Sequence, residues 1–145
     1  MVCIMNGQLK LSGEYDHAVD PKGRITLPAR YREYFNDGAV MVLLPRGEKC
    51  LSVFSKASWE EYDEKYVAPL DTFDNSRDGW TVRDTYRYQT SEVPDKQGRV
   101  MLSAKLAERL GLSGKVKIIG VRTHLEIWNP ERLAACEAER QAEHA

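Results

Sequence analysis

The chain holds little with which to build covalent or metal chemistry. Its three cysteines, Cys3, Cys50 and Cys136, are scattered, and its three histidines, His17, His124 and His144, stand alone. An odd, dispersed set of thiols without a Cys-x-x-Cys pair argues against a disulfide framework and fits free thiols in a reducing cytoplasm. The same spacing argues against a Cys/His zinc site. No run of about 18 apolar residues is present, which excludes a membrane-spanning helix. Met1 to Gly7 is too short for a signal peptide and lacks its charged flank. There is no nucleophile elbow, P-loop or GxGxxG, so no sequence feature supports an enzyme, a cofactor or a small-molecule substrate. The expectation is a cytoplasmic protein that is not an enzyme and has no metal, cofactor or membrane partner.

Net charge is also scarce: −1 over 145 residues, with 42% hydrophobic and 30% charged side chains. A free nucleic-acid-binding domain is usually basic, so the total argues weakly against that role. The distribution argues the other way. From Asp20 to Arg32, four cations face one carboxylate (net +3), and from Asp95 to Arg109 four face two (net +2). From Lys56 to Tyr66 the balance is −2, and from Glu126 to the end it is −3. Charge is sorted by position in the chain.

The sorting follows a repeat. Asp20-Pro21-Lys22-Gly23-Arg24-Ile25-Thr26-Leu27-Pro28-Ala29-Arg30 returns 75 positions later as Asp95-Lys96-Gln97-Gly98-Arg99-Val100-Met101-Leu102-Ser103-Ala104-Lys105. Leu51-Ser52-Val53-Phe54-Ser55 is echoed by Leu125-Glu126-Ile127-Trp128-Asn129. A repeat decides architecture. Each copy reads as strand, Asp-x-x-Gly turn, strand, short helix, hairpin and closing helix. Asp at the first turn position and Gly at the fourth suit a type I turn with a positive φ at its end.

In the first copy the strands are expected at Glu14–Val19, Arg24–Leu27, Ala39–Leu44 and Cys50–Phe54, the last with alternating burial. Pro45–Glu48 is expected to turn. Helices are expected over Arg30–Phe35 and, capped by Ser55, through Glu60–Tyr66. In the second copy the strands are Thr90–Val93, Arg99–Leu102, Val116–Gly120 and His124–Trp128. Ser103 caps a helix that Gly111 ends, and Asn129-Pro130 opens the last one. Trp80 to Gln89 fits a strand or a helix. Core positions are Phe35, Val40, Val42, Leu44, Val53 and Phe54, with Leu110, Val116, Ile118, Leu125, Ile127 and Trp128. One unit is too small to bury much apolar surface and would leave strand edges open. Two units closing into one β body, or pairing with neighbouring chains, would solve both problems.

Arg24 and Arg99 each follow an Asp by four residues. A single such pair is ordinarily a turn-pinning ion pair of small worth. Here it recurs, beside Lys22 and Lys96, with Arg30, Arg32, Lys105 and Arg109 opening the next helix. An aspartate that fixes the rotamer of an arginine also preorganises its guanidinium fork for phosphate or a guanine edge. Glu60, Glu61, Asp63 and Glu64 fit a solvated helix face. Trp59, Tyr62, Tyr66 and Phe73 fit packing or an interface rather than base stacking.

Gly13 to Arg30, with Asp95-Lys96-Gln97-Gly98-Arg99, resembles the MraZ family of bacterial transcriptional regulators over about Gly13 to Ala135. The resemblance implies an α+β, mainly β fold: a tandem pair of SpoVT/AbrB-like swapped-hairpin β-barrel modules with short helices. It implies an N-terminal extension at 1–12, a first module at 13–68, a connector at 69–88, a second module at 89–135 and a helical tail at 136–145. It also implies rings, often octameric, that bind short repeats in the double-stranded promoter DNA of the division and cell-wall gene cluster, the regulator's own gene included. Nucleoid association in the cytoplasm and repression follow from that role. The DNA-contacting arginine corresponds to Arg24, with Arg99 as its counterpart and Asp20 and Asp95 as the motif carboxylates. Lys22, Lys96 and Arg30 complete the expected interface. The alternative is a ring-forming protein-interaction scaffold, with acidic closing helices as its recognition surface.

Overall fold

The computed structural model describes residues 3–5, 8–44, 49–73 and 76–143. The turn expected at Pro45–Glu48 lies outside them.

Strands from the two repeats are interleaved in one antiparallel sheet. In chain order the strands are β1 (Cys3–Met5), β2 (Gln8–Lys10), β3 (Glu14–Val19), β4 (Arg24–Thr26), β5 (Ala39–Val42), β6 (Leu51–Ser55), β7 (Thr90–Glu92), β8 (Arg99–Met101), β9 (Gly114–Val121) and β10 (His124–Trp128). Among the described residues β1 and β2 form a two-stranded sheet of their own, and the other eight strands run β7-β5-β6-β10-β9-β3-β4-β8. The two end strands are joined by their own turn, where Asp95 N donates to Arg99 O at 3.0 Å. The sheet therefore curls into a nearly closed barrel, which removes most of the open edges of an isolated unit.

The pairing is related by a pseudo-twofold. β4 of the first copy pairs with β8 of the second, with Ile25 opposite Val100. Leu27 N donates to Gly98 O and Leu102 N to Gly23 O, both at 2.9 Å, so the two copies exchange equivalent bonds. β6 pairs with β10, with Ser52 opposite Glu126. Ile25, Val100, Leu27, Leu102, Phe35, Leu110, Ile118 and Ile127 fill the barrel. The core expectations hold for every named position except Leu44 and Trp128, which are half-buried.

Helices cover the barrel. α1 (Lys56–Tyr62) is capped by Ser55, whose Oγ accepts from Ser58 N at 3.1 Å. It does not run on to Tyr66 as one α-helix, because a π-helical turn takes over at Asp63–Val67. α1 also corrects the expected alternation in β6, where all five residues are buried. Leu51 and Val53 face the barrel, while Phe54 joins Val40, Val42 and Trp59 under α1. The helix expected at Arg30–Phe35 is a 3-10 turn at Ala29–Tyr31 followed by further turns. Pro28 offers no side-chain cap there. Tyr31 is also tied elsewhere, its hydroxyl donating to Ser12 O at 2.8 Å. In the second copy Ser103 does cap, and α3 (Ala104–Leu110) forms and ends at Gly111 with φ 66°. A helix, α2 (Arg77–Arg87), forms in the stretch expected to connect the copies, which resolves the ambiguity at Trp80–Gln89. Ser76 Oγ caps it by accepting from Gly79 N at 3.3 Å. α4 (Pro130–Glu143) starts where Asn129 Oδ1 accepts from Glu131 N and Arg132 N. No helix among the described residues is long and apolar enough to cross a membrane.

Candidate nucleic-acid interface

The two Asp-to-Arg turns are built alike, atom for atom. In the first, Asp20 Oδ1 accepts from Lys22 N and Arg24 N, both at 2.9 Å. Its Oδ2 accepts from Arg24 Nε at 2.8 Å. Gly23 closes the turn with φ +84° and its N–H on Asp20 O at 2.9 Å. In the second, Asp95 Oδ1 accepts from Gln97 N and Arg99 N at 2.9 Å, and Oδ2 from Arg99 Nε at 2.7 Å. Gly98 has φ +77°. Only glycine takes that backbone without a Cβ penalty. Hydrogen bonds from the arginine backbone N–H, followed by its side chain, hold both carboxyls below the ordinary aspartate range. Each aspartate is thus ionised and fully engaged at neutral pH.

The consequence for Arg24 is chemical. Its Nε is spent on Asp20, and no described residue accepts from its Nη groups, so the two-donor end of the fork is left for another partner. That end is the part of guanidinium that matches the O6/N7 edge of guanine or two phosphate oxygens. The side chain is 28% exposed, held but reachable. Arg99 differs in one bond: its Nη2 also donates to Gln97 Oε1 at 3.2 Å, where the first loop has Lys22. Lys22 and Lys96 are exposed at the two tips.

The β4–β8 ladder places both arginines on one surface. Ile25 and Val100 point into the barrel, so Arg24, Thr26, Arg99 and Met101 point out. Arg24 sits opposite Met101, and Thr26 opposite Arg99. The loops lie at the two ends of this short ladder. Lys22, Arg24, Lys96 and Arg99 are therefore brought together with Asp20 and Asp95.

Arg30 is set apart. Its Nη1 donates to Tyr15 Oη at 3.1 Å, near the start of β3. Tyr15 is five strand residues before Asp20, about 17 Å along the chain. Arg32 instead reaches the second loop, where a Cβ built on Gly98 would lie 2.7 Å from its Nε. It is thus a first-copy cation supplied to the second-copy tip. In the sequence Arg32 is one of the basic residues after the first turn, but nothing local signals this crossing, which depends on β4 pairing with β8. A further cationic group surrounds Tyr88: Arg109 lies 5.0 Å, Arg87 5.7 Å and Lys105 5.8 Å from its ring centre. No group of three or more metal-ligating side chains is found among the described residues.

The chain matches the family model described as "MraZ protein, putative antitoxin-like" over residues 11–78 and 88–145. It is 36% identical over 124 residues to a "Transcriptional regulator MraZ" of Thermomicrobium roseum, covering 85% of this chain and 84% of the relative. It is 39% identical over 132 residues to the protein of that name in Micrococcus luteus, with 90% and 88% covered. The relative in Heliobacterium modesticaldum is 40% identical over 126 residues, with 83% and 81% covered. The two matched segments correspond to the two copies whose strands interleave in the barrel, and the chain belongs to the MraZ family.

Proposed function

We propose that this protein is a sequence-specific DNA-binding transcriptional regulator. It represses the division and cell-wall gene cluster, its own gene included, by binding short promoter repeats as a ring of subunits. The observation that carries this reading is the pair of aspartate-held arginines on one outward ladder, each with its backbone fixed by the same turn. The names of the relatives support the regulatory role. Within the ladder Arg24 and Arg99 contact bases, Asp20 and Asp95 fix their rotamers, and Lys22, Lys96 and Arg32 neutralise flanking phosphates. Arg30, held on Tyr15, contacts phosphate further out. A ring accounts for the small net charge, since each subunit adds a few cations and multivalency sums them along consecutive repeats.

The test is a salt titration of binding to the DNA just upstream of the gene, with wild type and Arg24→Ala. Wild type should show affinity falling steeply with salt, because bound cations release condensed counterions. Arg24→Ala should remain folded and lose roughly 10- to 100-fold in affinity, the worth of one good bidentate base contact. Wild-type affinity in that variant would remove Arg24 from the interface. Salt-insensitive or absent binding would favour the scaffold reading, and a monomer mass by light scattering would remove the ring.

A further inference from the structure

One side chain on the outward ladder is neither charged nor polar. Met101 is 43% exposed, lies directly opposite Arg24, and comes from the other copy of the repeat. Its Sδ is 3.5 Å from the position a Cβ would take on Gly23, so the thioether lies against the first turn, one residue from Arg24. Packing does not require it there: Val100 and Leu102 on either side are buried, and Met101 alternates away from them. The other large apolar side chain left exposed near the turns, Val93 at 70%, lies before the second turn and outside the β4–β8 ladder. At the position equivalent to Met101 the first copy has Thr26, opposite Arg99, with a methyl and a hydroxyl in place of the thioether.

In the major groove, the apolar feature next to the donor and acceptor edges is the 5-methyl of thymine. A flexible, polarisable thioether is well suited to lie against it. We infer that Met101 is a specificity-determining residue that contacts the methyl of a thymine adjacent to the base read by Arg24. The inference rests on the ladder being the DNA-reading surface and deepens that reading. It makes the first turn a two-part reader: the arginine selects a hydrogen-bonding edge, and the methionine from the other copy selects a methyl. Thr26 gives the second turn a shorter methyl, so the two halves of one chain differ in what they prefer.

The experiment uses the full chain and two duplexes spanning the upstream repeats, one with thymine and one with deoxyuridine, which lacks only the 5-methyl. Wild type should bind the deoxyuridine duplex about fourfold more weakly for each methyl removed from the interface, the worth of burying one such carbon. Met101→Ser should lose most of the thymine preference, leaving only what Thr26 supplies, and Met101→Leu should keep the preference. Equal wild-type affinity for the two duplexes overturns the inference, and this comparison needs no variant to fold. A Met101→Ser protein that keeps the full thymine preference also overturns it. The two levels are separable. Salt-dependent, Arg24-dependent binding without a methyl preference sinks Met101 alone, whereas no salt-dependent binding sinks the DNA reading and Met101 with it.

Discussion

Gly120→Ala should be the most damaging single-methyl change in the barrel wall. Gly120 lies in β9 where the chain leading into β3 crosses it. A Cβ there would sit 2.3 Å from Ser12 N, 2.6 Å from Ser12 Cα and 2.7 Å from Leu11 C. All three are backbone atoms, so no side chain can swing aside. The crossing segment must lift. It is held by Gly120 N on Gly13 O at 2.8 Å and by a reciprocal pair between Leu11 and Arg122 at 2.8 and 2.9 Å. Leu11 is 2% exposed and would lose part of its burial. Each backbone bond contributes about 1 kcal/mol net, and full burial of a leucine about 2 kcal/mol. Partial loss of these terms gives a cost of about 3 kcal/mol, at the upper end for overpacking. Gly114→Ala in the same strand is the control. Nothing lies within 4 Å of its Cβ, and only its φ of +61° resists substitution. Its cost should be about 1 kcal/mol, the left-handed penalty alone. Urea unfolding followed by circular dichroism measures both. A Gly120→Ala loss below about 0.5 kcal/mol, or a larger loss for Gly114→Ala, would refute the crossing argument.

Three further outcomes follow from the same geometry. Asp20→Asn and Asp95→Asn should fold, since the amide oxygen can still accept the turn N–H groups, but should bind upstream DNA more weakly because the arginine fork is released. Both carboxyls are depressed in the folded state. Their stabilising contribution is present above the ordinary value of about 4 and is lost as pH falls through the lower folded value. The double variant should therefore show a flatter stability curve on the acid side. His124 stacks on Phe54 with ring centres 4.6 Å apart, and burial lowers its pKa against a smaller opposing effect of Glu126. Its neutral form is favoured in the fold, so its contribution is present above about 6.5 and lost as pH falls through the lower folded value. His124→Phe should remove that pH dependence, and an NMR titration of the ring should show the low value directly. Ser103→Ala should cost about 1 kcal/mol through loss of the α3 cap, with chemical denaturation as the readout.

Local rules make the turns readable from the sequence alone. Asp, Gly and the following Arg set the geometry within five residues, and the caps at Ser55, Ser103 and Asn129 act within one helical turn. The β9–β10 hairpin was equally plain, because its partners are adjacent in the chain. What the sequence does not display is set at long range. The opposition of Arg24 and Met101 joins residues 77 positions apart and follows only from β4 pairing with β8. Arg32 reaches Gly98 by the same route. Double burial of β6 depends on α1 folding over its outer face. Helix α2 is ambiguous in the sequence because its aromatic residues suit either state. Its Ser76 cap, with Tyr86 against Trp59 at 6.3 Å between ring centres, decides for the helix.

Placing both copies in one chain changes what the outward ladder can present. Two separate identical chains meeting on a true twofold would show the same side chain at each equivalent position, and so would match a palindromic site. Here the twofold is only approximate. Its axis passes the Ile25–Val100 pair, and the residues around it have diverged: Thr26 against Met101, Lys22 against Gln97, and Arg32 against Ala107. The turns themselves remain alike to within about 0.1 Å in their aspartate bonds. Identical scaffolding with different readers is the arrangement expected of a surface that addresses a directional, non-palindromic sequence. On the DNA reading, the repeats bound should then be direct rather than inverted. Inverting one repeat in a two-repeat duplex should abolish the avidity gained from the second, while each single repeat keeps its own affinity. Undiminished avidity on the inverted duplex would mean that the divergence around the axis has no role in reading direction.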